Sequence, residues 1–93
     1  MIFFSMDVKE VQEIFDLNKK RFNSDKELYD FLDRQIQQHT LEIYDRKTNN
    51  DPHYLKEIAD LAILTKLMAM CEGVDEKVFE ERYKKFKEKA NSQ

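Results

Sequence analysis

Hydrophobic positions along this chain recur at three- and four-residue steps, and the polar residues between them carry the signals that open and close helices. Val8, Val11, Ile14, Phe15 and Phe22 keep that spacing behind two candidate caps, Ser5 and Asp7, which predicts a first helix running to about Phe22. Asn23-Ser24-Asp25-Lys26-Glu27 then sets Glu27 three residues after Ser24, the reciprocal capping box, so a second helix follows to about Lys47. Thr48-Asn49-Asn50-Asp51-Pro52 reads as a turn. Asp51 can cap the next helix there, and Pro52 at its first position loses no hydrogen bond. The third helix carries apolar residues from Tyr54 to Cys71 around most of its circumference, which marks it as the central element. Gly73, the only glycine, suits a left-handed helix end, and Asp75 can start a fourth helix with Val78, Phe79, Tyr83 and Phe86 inward, fraying near Asn91. The connections are short. Neighbouring helices should therefore run antiparallel, in an all-α bundle of about four helices.

Composition agrees with that reading. The 93 residues fit one domain over 1–93, and 41% hydrophobic content supplies a core. One Gly and one Pro are too few for the turns of a sandwich or barrel, and they exclude a glycine-rich phosphate loop. Sixteen Lys+Arg against 19 Asp+Glu give a net charge of -3, the wrong balance for gripping nucleic acid. A lone Cys71 allows neither an internal disulfide nor a thiolate metal cluster, and points to a reducing compartment. Nothing approaches the roughly 20 apolar residues of a membrane span. The opening Met1-Ile2-Phe3-Phe4-Ser5-Met6 lacks the basic flank and the cleavage site of a signal peptide, so the expected location is the cytoplasm.

Polar residues in unexpected places narrow the chemistry. On the second helix Leu28, Leu32, Ile36 and Ile43 share a face, and Gln35, His39 and Glu42 fall on or beside it. On the third, Glu57 and Asp60 lie on the side continued by Leu61, Leu64, Met68 and Cys71. His39 and Glu42, like Glu57 and Asp60, are three apart and therefore adjacent on one surface, so the two pairs can face each other. Burying a carboxylate alone costs several kcal/mol, roughly, even after relaxation, so converging acids call for a cation. Oxygen-rich clusters favour Mg²⁺ or Mn²⁺, ions that commonly hold a substrate phosphate as well. The alternative is structural: Glu57 and Asp60 bond Arg34, Arg46 or Lys56, and His39 is a hydrogen-bonded residue of the fold. Cys71, Met68 and Met70 read as packing, His53 as exposed, and Lys84, Lys85 and Lys87 as a solvated face.

The segment from about Phe31 to Phe86 resembles the MazG-type all-helical nucleoside triphosphate pyrophosphohydrolases. The likeness rests on Tyr54-Leu55-Lys56-Glu57-Ile58-Ala59-Asp60-Leu61, similar to the family's Glu-x-x-Asp helix, and on Glu72-Gly73-Val74-Asp75 with the terminal helix behind it. The family's Glu-Glu-x-x-Glu box falls on Gln38-His39-Thr40-Leu41-Glu42, a partial match. Carried over, the resemblance implies a Mg²⁺ set of His39, Glu42, Glu57 and Asp60, with Gln38 where the family has an acid that positions water. An amide accepts no proton, so Gln38 can orient water but cannot act as a base. His39 would shift the preference toward Mn²⁺ or a later transition metal. The activity implied is conversion of a nucleoside triphosphate to its monophosphate and pyrophosphate. The second expectation is a noncatalytic helical interaction module whose metal site has decayed. Both readings include a homodimer or dimer of dimers, because the third helix and Ile2-Phe3-Phe4 present more apolar surface than a small chain can cover.

Overall fold

The computed structural model describes residues 8–92, which form four helices: α1 (Val8–Arg21), α2 (Asp25–Thr48), α3 (Tyr54–Cys71) and α4 (Glu76–Asn91). No strand occurs among them. The proposed caps Ser5 and Asp7, the Ile2-Phe3-Phe4 segment and the side chain of Val8 lie outside what is described. None of these helices is long and apolar enough to cross a membrane.

Local chemistry sets the helix ends. Ser24 Oγ accepts from the Glu27 N–H at 3.2 Å, while Glu27 reaches one residue further back than in the usual box and accepts from the Asn23 N–H. Asn50 takes a left-handed backbone at φ 57°, which asparagine tolerates, and lets the Asp51 N–H close α2 on the Arg46 carbonyl at 2.8 Å. Asp51 then caps α3 by accepting from the His53 N–H at 2.9 Å, and a first turn of tight i→i+3 bonds follows before the helix proper. Gly73, at φ 68°, ends α3 with the Val74 N–H on the Ala69 carbonyl, and Asp75 caps α4 through the Val78 N–H.

The core of the fold is the α2–α3 hairpin. Its antiparallel register is visible in three cross-contacts: Cys71 Sγ beside the Asp25 carbonyl, His39 beside Asp60, and Arg46 on Asp51 next to the turn. At the end far from the turn, Leu28, Leu32 and Leu67 are buried with Val11 of α1, and Ile14, Phe15, Phe22 and Phe31 close around them. Each fully buried leucine contributes about 1.5–3 kcal/mol, so this small cluster carries most of the packing energy.

The fourth helix departs from the expectation. Val78, Tyr83 and Phe86, read as inward, are exposed, and only Phe79 is half-buried, with the Lys66 ammonium 5.0 Å from its ring centre. The radius of gyration is 15.2 Å, against about 12 Å for a compact domain of this length. The third helix is likewise incompletely covered, with Leu55 and Ile58 exposed. An amphipathic sequence specifies that a helix has an apolar face; it does not specify that this chain supplies the cover.

Candidate metal centre on the α2–α3 hairpin

Toward the turn, the seam between α2 and α3 changes from leucine to ionisable side chains. His39, Glu42 and Glu57 each offer a ligand atom, and these atoms all lie within 4.8 Å of one another. His39 Nε2 stands 3.7 Å from Glu57 Oε2 and 3.5 Å from Asp60 Oδ2. All four residues of the expected metal set thus converge, although Asp60 adjoins His39 from outside the trio and is half exposed. The phase of the two helices does this: positions 39 and 42 face positions 57 and 60 once the hairpin register is set.

The ring of His39 is held from behind. Its Nδ1 is 2.8 Å from the carbonyl of Gln35. A carbonyl only accepts, so Nδ1 carries the proton, and in the neutral ring the Nε2 lone pair is turned toward Glu57 and Asp60. This is the arrangement by which a backbone carbonyl commonly orients a metal-binding histidine. Three electron-rich groups then face one another, and a proton or a cation has to lie among them.

Charge balance within the cluster is incomplete. Glu57 Oε2 is buried with no hydrogen-bond partner, and so is Arg46 Nε. Arg46 leans away, donating to Asp51 at 3.1 Å and leaving its Nε 4.0 Å from Glu57 Oε1. The contact between the Glu42 and Glu57 carboxyls raises the pKa of Glu57, with its burial adding to the rise. The same contact lowers that of Glu42, helped by the hydrogen bond from Gln38.

Gln38 lies exposed on α2, and its amide donates to Glu42 Oε1 at 3.1 Å. It therefore touches the cluster through Glu42. Sequence reasoning named Arg46 only as a structural counter-ion; its place four residues after Glu42, on the same helix face, was the available signal. The Gln35 carbonyl left no signal, because a main-chain group has no residue code. Elsewhere, burial pushes the Cys71 thiol pKa up, which agrees with packing rather than reactivity, and His53 is exposed, its ring 2.8 Å from Asp51.

Beside His39 and Asp60 the surface dips into an open cavity of about 270 Å³, lined mainly by Ile14, Phe31, Ile63 and Leu64, with Asn18 at its edge. A polar cluster and an apolar recess thus share a border.

The donor set fits a divalent ion of the Mg²⁺–Mn²⁺ class: two or three carboxylates and one imidazole, with an unpartnered carboxylate oxygen among them. No family model, curated protein or solved structure matches this chain.

Proposed function

We propose that this chain binds a divalent cation, Mg²⁺ or Mn²⁺, between α2 and α3 and uses it to hold and hydrolyse a nucleoside triphosphate, in the manner of the MazG-like pyrophosphohydrolases that its sequence resembles. The observation that carries the reading is Glu57 Oε2, buried and without a hydrogen-bond partner, facing His39, with Glu42 in the same trio and Asp60 as the other carboxylate in contact with His39. The unpartnered Glu57 oxygen costs the fold stability when left alone, and a bound cation offsets that cost.

Glu42, Glu57, Asp60 and the Nε2 of His39 hold the ion. When bound, such an ion polarises phosphoryl oxygens and lowers the pKa of an attached water. The chain's own groups do the rest. Gln38 steadies Glu42 through its amide hydrogen and keeps its own carbonyl oxygen to accept from a water. The Gln35 carbonyl fixes the His39 ring. The adjacent apolar recess offers a surface for the flat face of a base.

The experiment is direct: a panel of nucleoside triphosphates with Mg²⁺ or Mn²⁺ is assayed for pyrophosphate, wild type against Glu57→Gln. The wild type should release pyrophosphate and the variant should not. Silence with every nucleotide and metal, together with no thermal response to either, rejects the proposal.

A second reading is favoured by Gln38, which stands where the related enzymes keep an acid, and by the open apolar side of α4. It is a noncatalytic helical module that assembles as a homodimer or dimer of dimers. Its signature is an oligomer indifferent to chelators.

A further inference from the structure

Along α4, Phe79, Tyr83, Phe86 and Ala90 recur at steps of four, three and four, the spacing of a two-helix seam. Among the described residues only its first ring is partly covered, Phe79 being half-buried beside Lys66. Tyr83 and Phe86 are about two-thirds exposed, at 66% and 65%, and the α4 backbone comes close to none of α1, α2 or α3. Between α4 and α3 runs an open trough of about 660 Å³, whose α3 side is made of Ala62, Thr65, Lys66, Met68 and Ala69. The chain's own Phe79, Tyr83 and Phe86 line its α4 side, and the space between the two walls stays open.

The charges of α4 specify the occupant. Its first half, with the cap, carries Asp75, Glu76, Glu80 and Glu81 against Lys77; its second carries Arg82, Lys84, Lys85, Lys87 and Lys89 against Glu88. A surface that meets its own copy across a two-fold axis must be self-complementary. Laid antiparallel on a second α4, with Phe79 opposite Phe86 of the second copy, the helix sets the acidic half of its seam flank against the basic half of the other. A parallel pairing sets acid against acid. On the flanks of the seam, Glu80 comes beside Lys87 of the second copy and Asp75 beside Lys89, the positions where such helices form ion pairs.

The geometry points to a homodimer in which two α4 helices pack antiparallel about an axis near Arg82 and Tyr83, each lending Phe86 to the aromatic seam and the α3–α4 trough of the other. A uniformly acidic or basic partner complements only one half of that flank; a second copy complements both, with Arg82 alone left beside its own counterpart near the axis. This assigns a surface to the self-association expected from the sequence, and it is independent of the metal centre.

The test is the mass of the full chain by light scattering or sedimentation, followed with concentration and salt. The wild type should be a dimer that tightens at low salt. Phe86→Ser should be monomeric with its helical circular dichroism intact, since the ring is exposed in a single chain. Glu80→Lys and Lys87→Glu should each weaken the dimer about tenfold, and the combined reversal should restore it. A wild type that is monomeric at all concentrations, or a double reversal as weak as its parents, overturns the proposal. A dimer that survives Phe86→Ser also overturns it, while leaving self-association to another face.

Discussion

The two halves of the α2–α3 hairpin are built on the same helices and serve opposite ends. Away from the turn, Leu28, Leu32 and Leu67 are buried with Val11 of α1, and partly buried apolar side chains pack around them. Near the turn, His39, Glu42, Arg46, Glu57 and Asp60 occupy the equivalent seam, and one carboxylate oxygen and one guanidinium nitrogen lack partners. One half stabilises the chain. The other leaves a buried carboxylate oxygen without a hydrogen-bond partner, the place the proposed cation would take.

The contrast breaks most sharply in the apolar half. Leu32→Ala leaves a cavity at a position with no exposed surface, and the expected loss is about 2–5 kcal/mol, measured by denaturant unfolding. A loss under about 1 kcal/mol would show that the cluster around Leu32 is not the core.

Asp51, at the turn, comes next. The His53 N–H and ring, with Arg46 behind them, hold its carboxyl below the usual range. A depressed carboxyl contributes stability above its unfolded pKa and loses it as pH falls through the lower folded value. Asp51→Ala should thus lower Tm by several degrees at neutral pH, an effect that fades in acid. An equal loss at every pH would separate the cap from its charge.

Glu57→Gln should have the smallest effect and the opposite sign. Contact with Glu42 raises the Glu57 pKa, so the carboxyl favours the fold when protonated, and that contribution disappears as pH rises through the raised value. The amide mimics the protonated acid permanently. Metal-free melts should show Glu57→Gln equal to wild type in acid and slightly more stable at neutral pH; a variant less stable at neutral pH would mean that the carboxylate is a satisfied structural group.

Much of this organisation was legible in the sequence because it is local. Ser24, Asp75, Gly73 and the Asn50-Asp51-Pro52 turn act through hydrogen bonds and dihedral preferences within a few residues, and the helix ends follow from them. The meeting of His39 with Glu57 and Asp60 was legible for a related reason, since helical phase and a short turn leave an antiparallel hairpin few registers. The exposure of Tyr83 and Phe86 was not. Periodicity gives a helix a face but not a neighbour, and the same stripe serves a core or an interface. Nor did spacing reveal that Arg46 would turn to Asp51 and leave Glu57 short of a counter-charge.

The most direct measurement is a thermal melt of chelator-treated protein with and without added Mn²⁺, on wild type and Glu57→Gln side by side. A cation that binds only the folded chain must raise Tm in proportion to its affinity. The account predicts a clear rise for the wild type and none for Glu57→Gln. No rise in the wild type, or the same rise in both, would contradict it.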